Sequence, residues 1–312
     1  MDFVQSIAAR RVMLAEGSVY ERLRRHPGIT FHPSMRHGVL VYDPAGRKAE
    51  AEVHASYIAA ARATGLPLIL LSDTWRANAE NIAASAYADR PVNQDNIALL
   101  KALRDDSGHE IFIGGQSGCR GDAYRPEEAL DADAAYAFHR PQMQALAEAK
   151  PDFLFAATLP AFREARGIAR AQAETGLPYL LSFVLRPAGT LLDGTPWADA
   201  IKALDNTATP PLGYAVNCVH PKVLAQALSV LEKHAPDLLK RVVFFQANTS
   251  PLSPEELAAA TDLLTEAPDT LAAQICALQR RYALPVTGGC CGTDERHIAA
   301  LGRGLAKSAA QG

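Results

Sequence analysis

The stretch "LPVTGGCC", residues 284–291, is typical of a buried strand that ends in two adjacent cysteines framed by glycine. Its first residues are apolar and its last are small, as expected for a strand covered on both faces. Seven similar runs precede it, and Ala-rich stretches with helical spacing separate them. The eight runs are RVMLAEG (11–17), LPLILLSDT (66–74), EIFIGGQSG (110–118), DFLFAAT (152–158), PYLLSFVL (178–185), LGYAVNC (212–218), RVVFFQAN (241–248) and LPVTGGCC itself.

Eight alternating strand and helix units in a chain of 312 residues predict a (β/α)₈ TIM barrel. Gly65, Gly176 and Ala283 each precede a Leu-Pro pair, and we expect helices to end there before the next strand begins. A doubly wound open sheet is the alternative, because periodicity alone cannot close a barrel. No linker marks a boundary, so residues 1–312 are expected to form one domain. Within it, residues 24–46 are expected to be a loop insertion after strand 1. This loop is expected either to lie at the mouth of the barrel or to form an oligomer contact.

Composition and charge exclude several classes of function. With 48% hydrophobic residues the chain can bury a large core, and its net charge is −3, with Lys and Arg scattered along it. No basic stripe is available to follow a nucleic-acid backbone. No segment approaches the roughly 20 apolar residues of a membrane span, and the amino terminus lacks the apolar run of a signal peptide. We therefore expect a cytoplasmic protein that binds neither nucleic acid nor membrane.

Five cysteines without a secretory signal argue against a disulfide framework. In a barrel the carboxyl ends of all strands share one face, which carries the active site. Cys218 ends the sixth run and the pair Cys290 and Cys291 ends the eighth, so closure would bring three thiols to one rim. Three thiolates on Zn²⁺ leave one position open, which is a catalytic arrangement.

Other interpretations of the cysteines remain open. A buried cysteine often serves only as a small apolar side chain, and Cys276, inside a helical stretch, fits that role. Cys119 follows the third run near the predicted mouth but has no partner at ligand spacing. A redox pair of Cys290 and Cys291 is disfavoured, because adjacent cysteines form a strained ring. A cysteine-nucleophile hydrolase is also disfavoured, since no recognisable histidine base and oxyanion loop accompany the thiols.

Four segments resemble the homocysteine S-methyltransferase family of zinc-dependent barrels, which move a methyl group onto the thiol of homocysteine. They are FHRPQMQALAEAKPDFLFAATLP (138–160), SFVLRPAGTLLDGTPWADAI (182–201), AVNCVHP (215–221) and GGCCGTDERHI (288–298). The similarity extends from about residue 11 to 305. The resemblance implies that Cys218, Cys290 and Cys291 bind the zinc and act in catalysis, and that Asn217 lies in the substrate pocket beside them.

The chain departs from the family pattern at three strand ends. Glu16 and Gly17 stand where the family usually has Asp-Gly, and a longer carboxylate remains available. Ala157, before Thr158, occupies the position of a family Glu that holds the amino group of the acceptor. Asn248, in QANTS, lies where Pro-Asn-x-Gly is expected. The resemblance thus implies that Glu16, Thr158, Asn217 and Asn248 contact substrate, while Ala157 points to a changed acceptor site.

A zinc-bound thiolate is best matched by a methyl donor that carries a positive charge, because the attack neutralises both partners. Aromatic faces attract such onium groups. Trp75, just after the second run, is the leading candidate, with Asp73 as counter-charge and Arg76 as a clamp on a donor carboxylate. Each has a structural alternative: Trp75 packs under the loop, Asp73 caps a helix, and Arg76 is solvated. His220 is expected at a helix start rather than on the metal, and His297 on a helix surface.

These observations predict a zinc-dependent S-methyltransferase. It would transfer a methyl group from an onium donor, of the S-methylmethionine, S-adenosylmethionine or betaine type, to a thiol, most simply homocysteine to give methionine. The alternative is a zinc-binding barrel with a different thiol or selenol acceptor, or with a ligand-binding role without turnover. The expected partners are small molecules and, through self-association, a second copy of the chain.

Overall fold

The eight strands close into a parallel barrel in the order in which they occur along the chain. The computed structural model describes residues 1–252, 256 and 265–309, so part of the expected domain, 1–312, lies outside the described residues. The last strand pairs with the first, with Leu14 opposite Thr287. The (β/α)₈ prediction is confirmed, and the open doubly wound sheet is excluded.

Each strand overlaps one of the eight predicted runs. The strands are β1 Met13–Ala15, β2 Leu68–Leu71, β3 Ile111–Gly118, β4 Phe153–Leu159, β5 Tyr179–Phe183, β6 Gly213–Val219, β7 Val242–Ala247 and β8 Val286–Gly289. The helices are α1 Phe3–Ala8, α2 Val19–Arg24, α3 Pro44–Arg62, α4 Ala79–Ala83, α5 Val92–Ser107, α6 Ala132–Glu148, α7 Phe162–Ala173, α8 Trp197–Asp205, α9 Pro221–His234, α10 Pro268–Tyr282 and α11 Glu295–Ala309. Short 3₁₀ helices lie at Leu40–Tyr42, Pro126–Glu128 and Pro236–Arg241. None of the helices in this described part has both the length and the apolar character to cross a bilayer.

Alternation along the strands divides the core into two layers. Met13 and Ala15 of β1 point into the barrel, where they join an inner cluster with Phe155 of β4. Leu14, between them, belongs to the outer cluster that packs the strands against the helices. Because both faces are covered, the strands are mostly apolar, which is the pattern that the sequence shows. Phe3 of α1 stacks on Phe153 at 4.0 Å between ring centroids and belongs to the inner cluster.

The predicted helix ends are confirmed by the backbone. Gly65, Gly176 and Ala283 have positive φ angles of 68°, 74° and 49°. Each lies between the end of a helix and the strand that follows it. This left-handed conformation lets the chain leave the helix and turn directly into the barrel wall, and glycine adopts it at little cost.

The segment 24–46, which we expect to be an insertion, extends from the last residue of α2 to the first turn of α3. It contains a short bridge between His32 and Arg36 and the 3₁₀ helix Leu40–Tyr42. Its His37 is buried and reaches Asp73 beyond the end of β2. The segment therefore contributes a side chain to the mouth of the barrel, and an oligomer contact through it stays a prediction.

Candidate active site

Three thiols meet at the carboxyl-terminal mouth of the barrel. Cys218 lies near the end of β6, and Cys290 and Cys291 directly follow β8. Their Sγ atoms all lie within 4.8 Å of one another, and we refer to these residues as the thiol cluster. The structure joins Cys218 and Cys290 as a disulfide, with Cα atoms 5.6 Å apart, and leaves Cys291 a free thiol. Barrel closure thus assembles the three predicted sulfurs, which act as three thiolates only when the protein is reduced.

The glycines around the cysteine pair have two different roles. A Cβ on Gly288 would lie 2.6 Å from the carbonyl oxygen of Ala15, and one on Gly289 would overlap the side chain of Thr293. Gly292 instead has a φ of 86°, in the left-handed region. Gly292 therefore permits the left-handed turn. Gly288 and Gly289 instead let the backbone pack closely against β1 and Thr293.

Buried acids and histidines form a second cluster at the ends of β1 and β2. His54 of α3 lies between two carboxylates, with Nδ1 3.2 Å from Glu16 Oε2 and Nε2 3.1 Å from Asp73 Oδ2. His37 places its Nε2 3.1 Å from Asp73 Oδ1. The contact between His54 and Glu16 is within ion-pair range but is not aligned as a hydrogen bond. These four side chains, at most 6% exposed, are the acid–histidine cluster.

Charge interactions determine the ionisation of this cluster. Burial disfavours the imidazolium of His54, but Asp73 and Glu16 outweigh it and raise the pKa of His54 to about 10. Burial also disfavours the carboxylate of Asp73, yet His37 and His54 lower its pKa well below the usual range. Burial raises the pKa of Glu16, whose Oε1 accepts a hydrogen bond from the Leu71 N–H at 3.1 Å. At neutral pH a protonated His54 therefore contacts an ionised Asp73.

A cavity of about 240 Å³ is lined by residues of both clusters. Five of the six predicted substrate residues outside the thiol cluster line it, namely Glu16, Asp73, Trp75, Thr158 and Asn217. Asn248 is buried just after β7 but does not line the cavity. Ala157 lines it with an apolar methyl group at the end of β4, where the resemblance implies a family carboxylate.

Acidic and aromatic side chains dominate the cavity wall. The acids are Glu16, Glu21, Asp73 and Asp122, and the large aromatic side chains are Tyr20, Trp75 and Tyr124. Among the described residues that line the cavity, His37 is the only basic side chain. The wall is therefore suited to a ligand with positive charge and a polarisable or apolar surface.

The sequence model of homocysteine S-methyltransferases matches residues 13–305, which include every strand of the barrel. The chain belongs to the homocysteine S-methyltransferase family. The match includes the thiol cluster, the two acids of the acid–histidine cluster and all the predicted substrate residues.

Two curated members of the homocysteine S-methyltransferase family are similar over part of the chain. Homocysteine S-methyltransferase from Escherichia coli is 31% identical over 186 residues, which is 58% of this chain and 56% of that protein. Homocysteine S-methyltransferase YbgG from Bacillus subtilis is 34% identical over 116 residues, 36% of each chain. The chain thus spans about a third to just over half of the length of these relatives.

Solved structures of one family member share the fold. The homocysteine methyltransferase MmuM from Escherichia coli superposes with a TM-score of 0.75 in its oxidised form, at 22% identity, over 96% of this chain and 98% of that one. Its metallated form gives a TM-score of 0.72 at 22% identity, over 94% and 96% of the two chains.

Trp75 and Arg76 interact with each other at the rim of the family barrel. The guanidinium of Arg76 lies 4.6 Å from the centre of the Trp75 ring and donates hydrogen bonds to the carbonyl oxygens of Cys119 and Arg120. Arg76 does not line the cavity, so its predicted role as a carboxylate clamp is not supported. Tyr20 approaches Trp75 edge-on at 6.4 Å between centroids, and Trp75 Nε1 has no hydrogen-bond partner among the described residues.

The prediction that His297 lies on a helix surface is wrong, whereas the helix start predicted at His220 is confirmed. His297 is only 4% exposed, because its Nδ1 contacts Asp294 at 2.8 Å and its Nε2 lies 2.9 Å from the carbonyl oxygen of Glu266. The first turn of α11 is thus packed against the segment before α10 rather than exposed. His220 caps α9, with Nδ1 accepting the Lys222 N–H at 3.2 Å.

The two remaining cysteines lie outside the cavity wall. Cys276 is buried in the core on α10, as predicted. Cys119 is also part of the outer core cluster, and burial raises the pKa of its thiol to about 12.

The sequence analysis did not identify three buried polar residues in or beside the acid–histidine cluster. His54 and Glu50 are both fully buried on α3, and His37 comes from the segment before it. Glu50 has no hydrogen-bond partner among the described residues, and burial followed by repulsion from Asp73 raises its pKa well above the usual range. A signal was present, because His54 lies next to Val53 on the core-facing stripe of α3, where a polar residue needs a partner.

Proposed function

We propose that this protein is a zinc-dependent methyltransferase that moves a methyl group from a sulfonium donor to the thiol of homocysteine, giving methionine. The observation that carries the proposal is the thiol cluster, three Sγ atoms within 4.8 Å of one another at the mouth of a family barrel. The metallated form of MmuM supports a metal in this fold. Because thiols stay reduced in the cytosol, we assign the reaction to that compartment.

The donor set fits zinc. Zinc prefers thiolate ligands, and among the described residues no fourth Cys, His, Asp or Glu joins the three cysteines at ligand distance. Bound there, zinc would supply deprotonation of the acceptor thiol, whose free pKa of about 8.5 leaves it mostly protonated at neutral pH. Ionising such a thiol at neutral pH requires a free energy of about 2 kcal/mol. The remaining tasks, which are binding and orienting the substrates, belong to the cavity wall.

The charge of the wall favours a donor with a net positive charge. Four carboxylic side chains and one histidine, without lysine or arginine among the described lining residues, face the cavity. Sulfonium amino acids such as S-methylmethionine and S-adenosylmethionine carry a net charge of +1, whereas betaine is neutral overall. Asp73 and Glu16 would hold the positive end, and Trp75 or Tyr20 would cover the methyl-bearing sulfonium.

The test combines metal analysis with a donor panel. Reduced protein should contain one zinc per chain, and homocysteine should be converted to methionine faster with S-methylmethionine or S-adenosylmethionine than with betaine. Zinc without product from any donor would overturn the assignment of homocysteine and direct the assay, because of Ala157, to other thiols and selenols. Protein that binds no zinc after reduction would overturn the metal site.

The role of Trp75 can be separated from the fold with a matched pair of variants. Trp75→Leu should raise the KM for the donor about 2- to 30-fold, the equivalent of a cation–π contact of about 0.5–2 kcal/mol, and leave zinc content unchanged. Tyr136→Leu removes another aromatic ring that packs under a guanidinium, that of Arg170 at 4.5 Å, away from the cavity wall. It should leave KM unchanged. An equal effect of the two substitutions would contradict the role of Trp75 in donor binding.

A further inference from the structure

Two residues at the mouth of the barrel have left-handed backbones that their side chains disfavour. Thr158 on β4 and Cys218 on β6 have φ angles of 59° and 56°, and the pairing of each strand with its neighbour shifts register there. Consecutive side chains of a regular strand face opposite ways. Here Asn217 and Cys218 both line the cavity, as do Ala157 and Thr158. The irregular backbone therefore aims the Cys218 sulfur at the cavity, and the surrounding structure must hold it in place.

The amide of Asn217 links these two strained residues. Its Oδ1 accepts hydrogen bonds from the Thr158 N–H at 2.9 Å and from the Ser182 hydroxyl at 2.6 Å. Its Nδ2 donates to Thr158 Oγ1 at 2.7 Å and to Cys218 Sγ at 3.5 Å. Two acceptor sites and two N–H groups are thus all used, which is the full capacity of an amide side chain. One buried side chain of β6 consequently ties the ends of β4, β5 and β6 together.

The orientation of the amide follows from its partners. The backbone N–H of Thr158 can only donate, so it must face the oxygen of Asn217 rather than its NH₂ group. Ser182, which is fully buried on β5 between the other two strands, donates to the same oxygen. The NH₂ group of Asn217 is thereby turned toward the sulfur of Cys218.

We propose that Asn217, oriented by Ser182, is a positioning residue for the Cys218 thiolate. It keeps Cys218 in the conformation that directs Sγ toward Cys290 and Cys291, and its N–H stabilises negative charge on the sulfur. The inference rests on the proposed metal site, because the effect is exerted on zinc through Cys218. Groups that hold metal ligands in this way commonly change metal affinity 10- to 100-fold when they are replaced.

Two substitutions isolate the hydrogen bonds without removing a thiol. Ser182→Ala deletes the hydroxyl that orients the amide, and Asn217→Asp keeps the acceptor for Thr158 but replaces the N–H donor to sulfur with oxygen. Ser117→Ala is the matched control, because Ser117 is an equally buried serine on β3 whose hydroxyl has no hydrogen-bond partner among the described residues. Thermal unfolding of each variant reports on the fold.

The readout is metal binding by the reduced proteins, measured with zinc against a chelator and with Co²⁺ by its thiolate-to-metal absorption bands. We expect zinc affinity to fall about tenfold in Ser182→Ala and about 100-fold in Asn217→Asp, with a shifted Co²⁺ band in the latter. Ser117→Ala should stay within about twofold of wild type. If Asn217→Asp does not fold, the zinc affinity and Co²⁺ spectrum of Ser182→Ala alone test the proposal.

The outcomes separate this inference from the proposed function. Wild-type protein that binds neither metal would overturn both. If wild type binds zinc while Ser182→Ala and Asn217→Asp keep its affinity and its Co²⁺ spectrum, the metal site stands and the positioning role is rejected.

Discussion

The thiol cluster and the acid–histidine cluster lie on the same cavity but are built in different ways. Each thiol belongs to one of the strand runs that predict the fold, at the end of β6 or after β8. In the other cluster only Glu16 and Asp73 come from strand ends, whereas His54 comes from α3 and His37 from the segment between α2 and α3. Parallel strands bring their ends together by topology alone, so the thiols could be grouped before any side-chain contact was known.

The two clusters also differ in how their charge is balanced. No lysine or arginine is among the described residues that line the cavity, so in the proposed function zinc would balance the charge of the three thiolates. The acid–histidine cluster supplies its own cation, His54, between two acids. We therefore expect substitutions in the thiol cluster to affect function first, and those in the acid–histidine cluster to affect stability first.

The largest expected effect is that of Cys290→Ser. Serine removes one of three sulfur ligands while nearly preserving volume, so zinc content should fall from one per chain to near zero. Methyl transfer should fall at least about 1,000-fold, since the thiol would lose its metal activation. Metal analysis of the reduced protein and an assay of methionine formation measure the two losses. The free energy of unfolding of the metal-free proteins should change little.

Cys119→Ala is the control for Cys290→Ser. Cys119 is buried in the outer core and does not line the cavity. This variant should retain zinc and activity, at a modest cost in stability. Full zinc occupancy in Cys290→Ser would contradict the ligand assignment.

The next largest effect is expected from Asp73→Asn. The substitution leaves the protonated His54 buried with one acidic partner fewer, and breaking a buried ion pair costs about 3–5 kcal/mol. Chemical denaturation should report that loss, while zinc content should stay at the wild-type level. A loss of zinc together with unchanged stability would show that the distinction between the clusters is wrong.

Asp122→Asn provides the comparison for Asp73→Asn. Asp122 also lines the cavity but is exposed. Its substitution should change the free energy of unfolding by less than about 0.5 kcal/mol.

Sequence alone located the barrel, its thiols and part of the cavity wall, because those depend on chain order and strand ends. It did not locate His54, whose role depends on α3 packing its buried face behind β1 and β2. It placed His297 on the surface, because helical spacing does not show that the carbonyl of Glu266 lies against this turn. The hydrogen bonds of Asn217 were equally hidden, since they span three strands. Patterns within one helix or strand could be predicted from the sequence, whereas side-chain contacts between different elements could not.

The smallest effect is the pH dependence of stability that His54 of the acid–histidine cluster contributes. The folded protein raises the pKa of His54 to about 10, above its value of about 6.5 in an unfolded chain. The resulting stabilisation is complete below about pH 6.5 and is lost as the pH rises toward 10. Between about pH 7 and 9 the free energy of unfolding should fall on the order of 1 kcal/mol per pH unit. Urea unfolding of metal-free Cys290→Ser protein measures it without interference from zinc.

The matched control adds His54→Gln to the Cys290→Ser background. Buried tyrosines and cysteines also titrate at high pH, so only the difference between the two proteins isolates His54. The slope should be clearly smaller in the double variant, because the group that loses its proton is absent. Equal slopes would mean that His54 is already neutral at pH 7. The contact of His54 with Asp73, at 3.1 Å, would then be a hydrogen bond from a neutral imidazole rather than an ion pair.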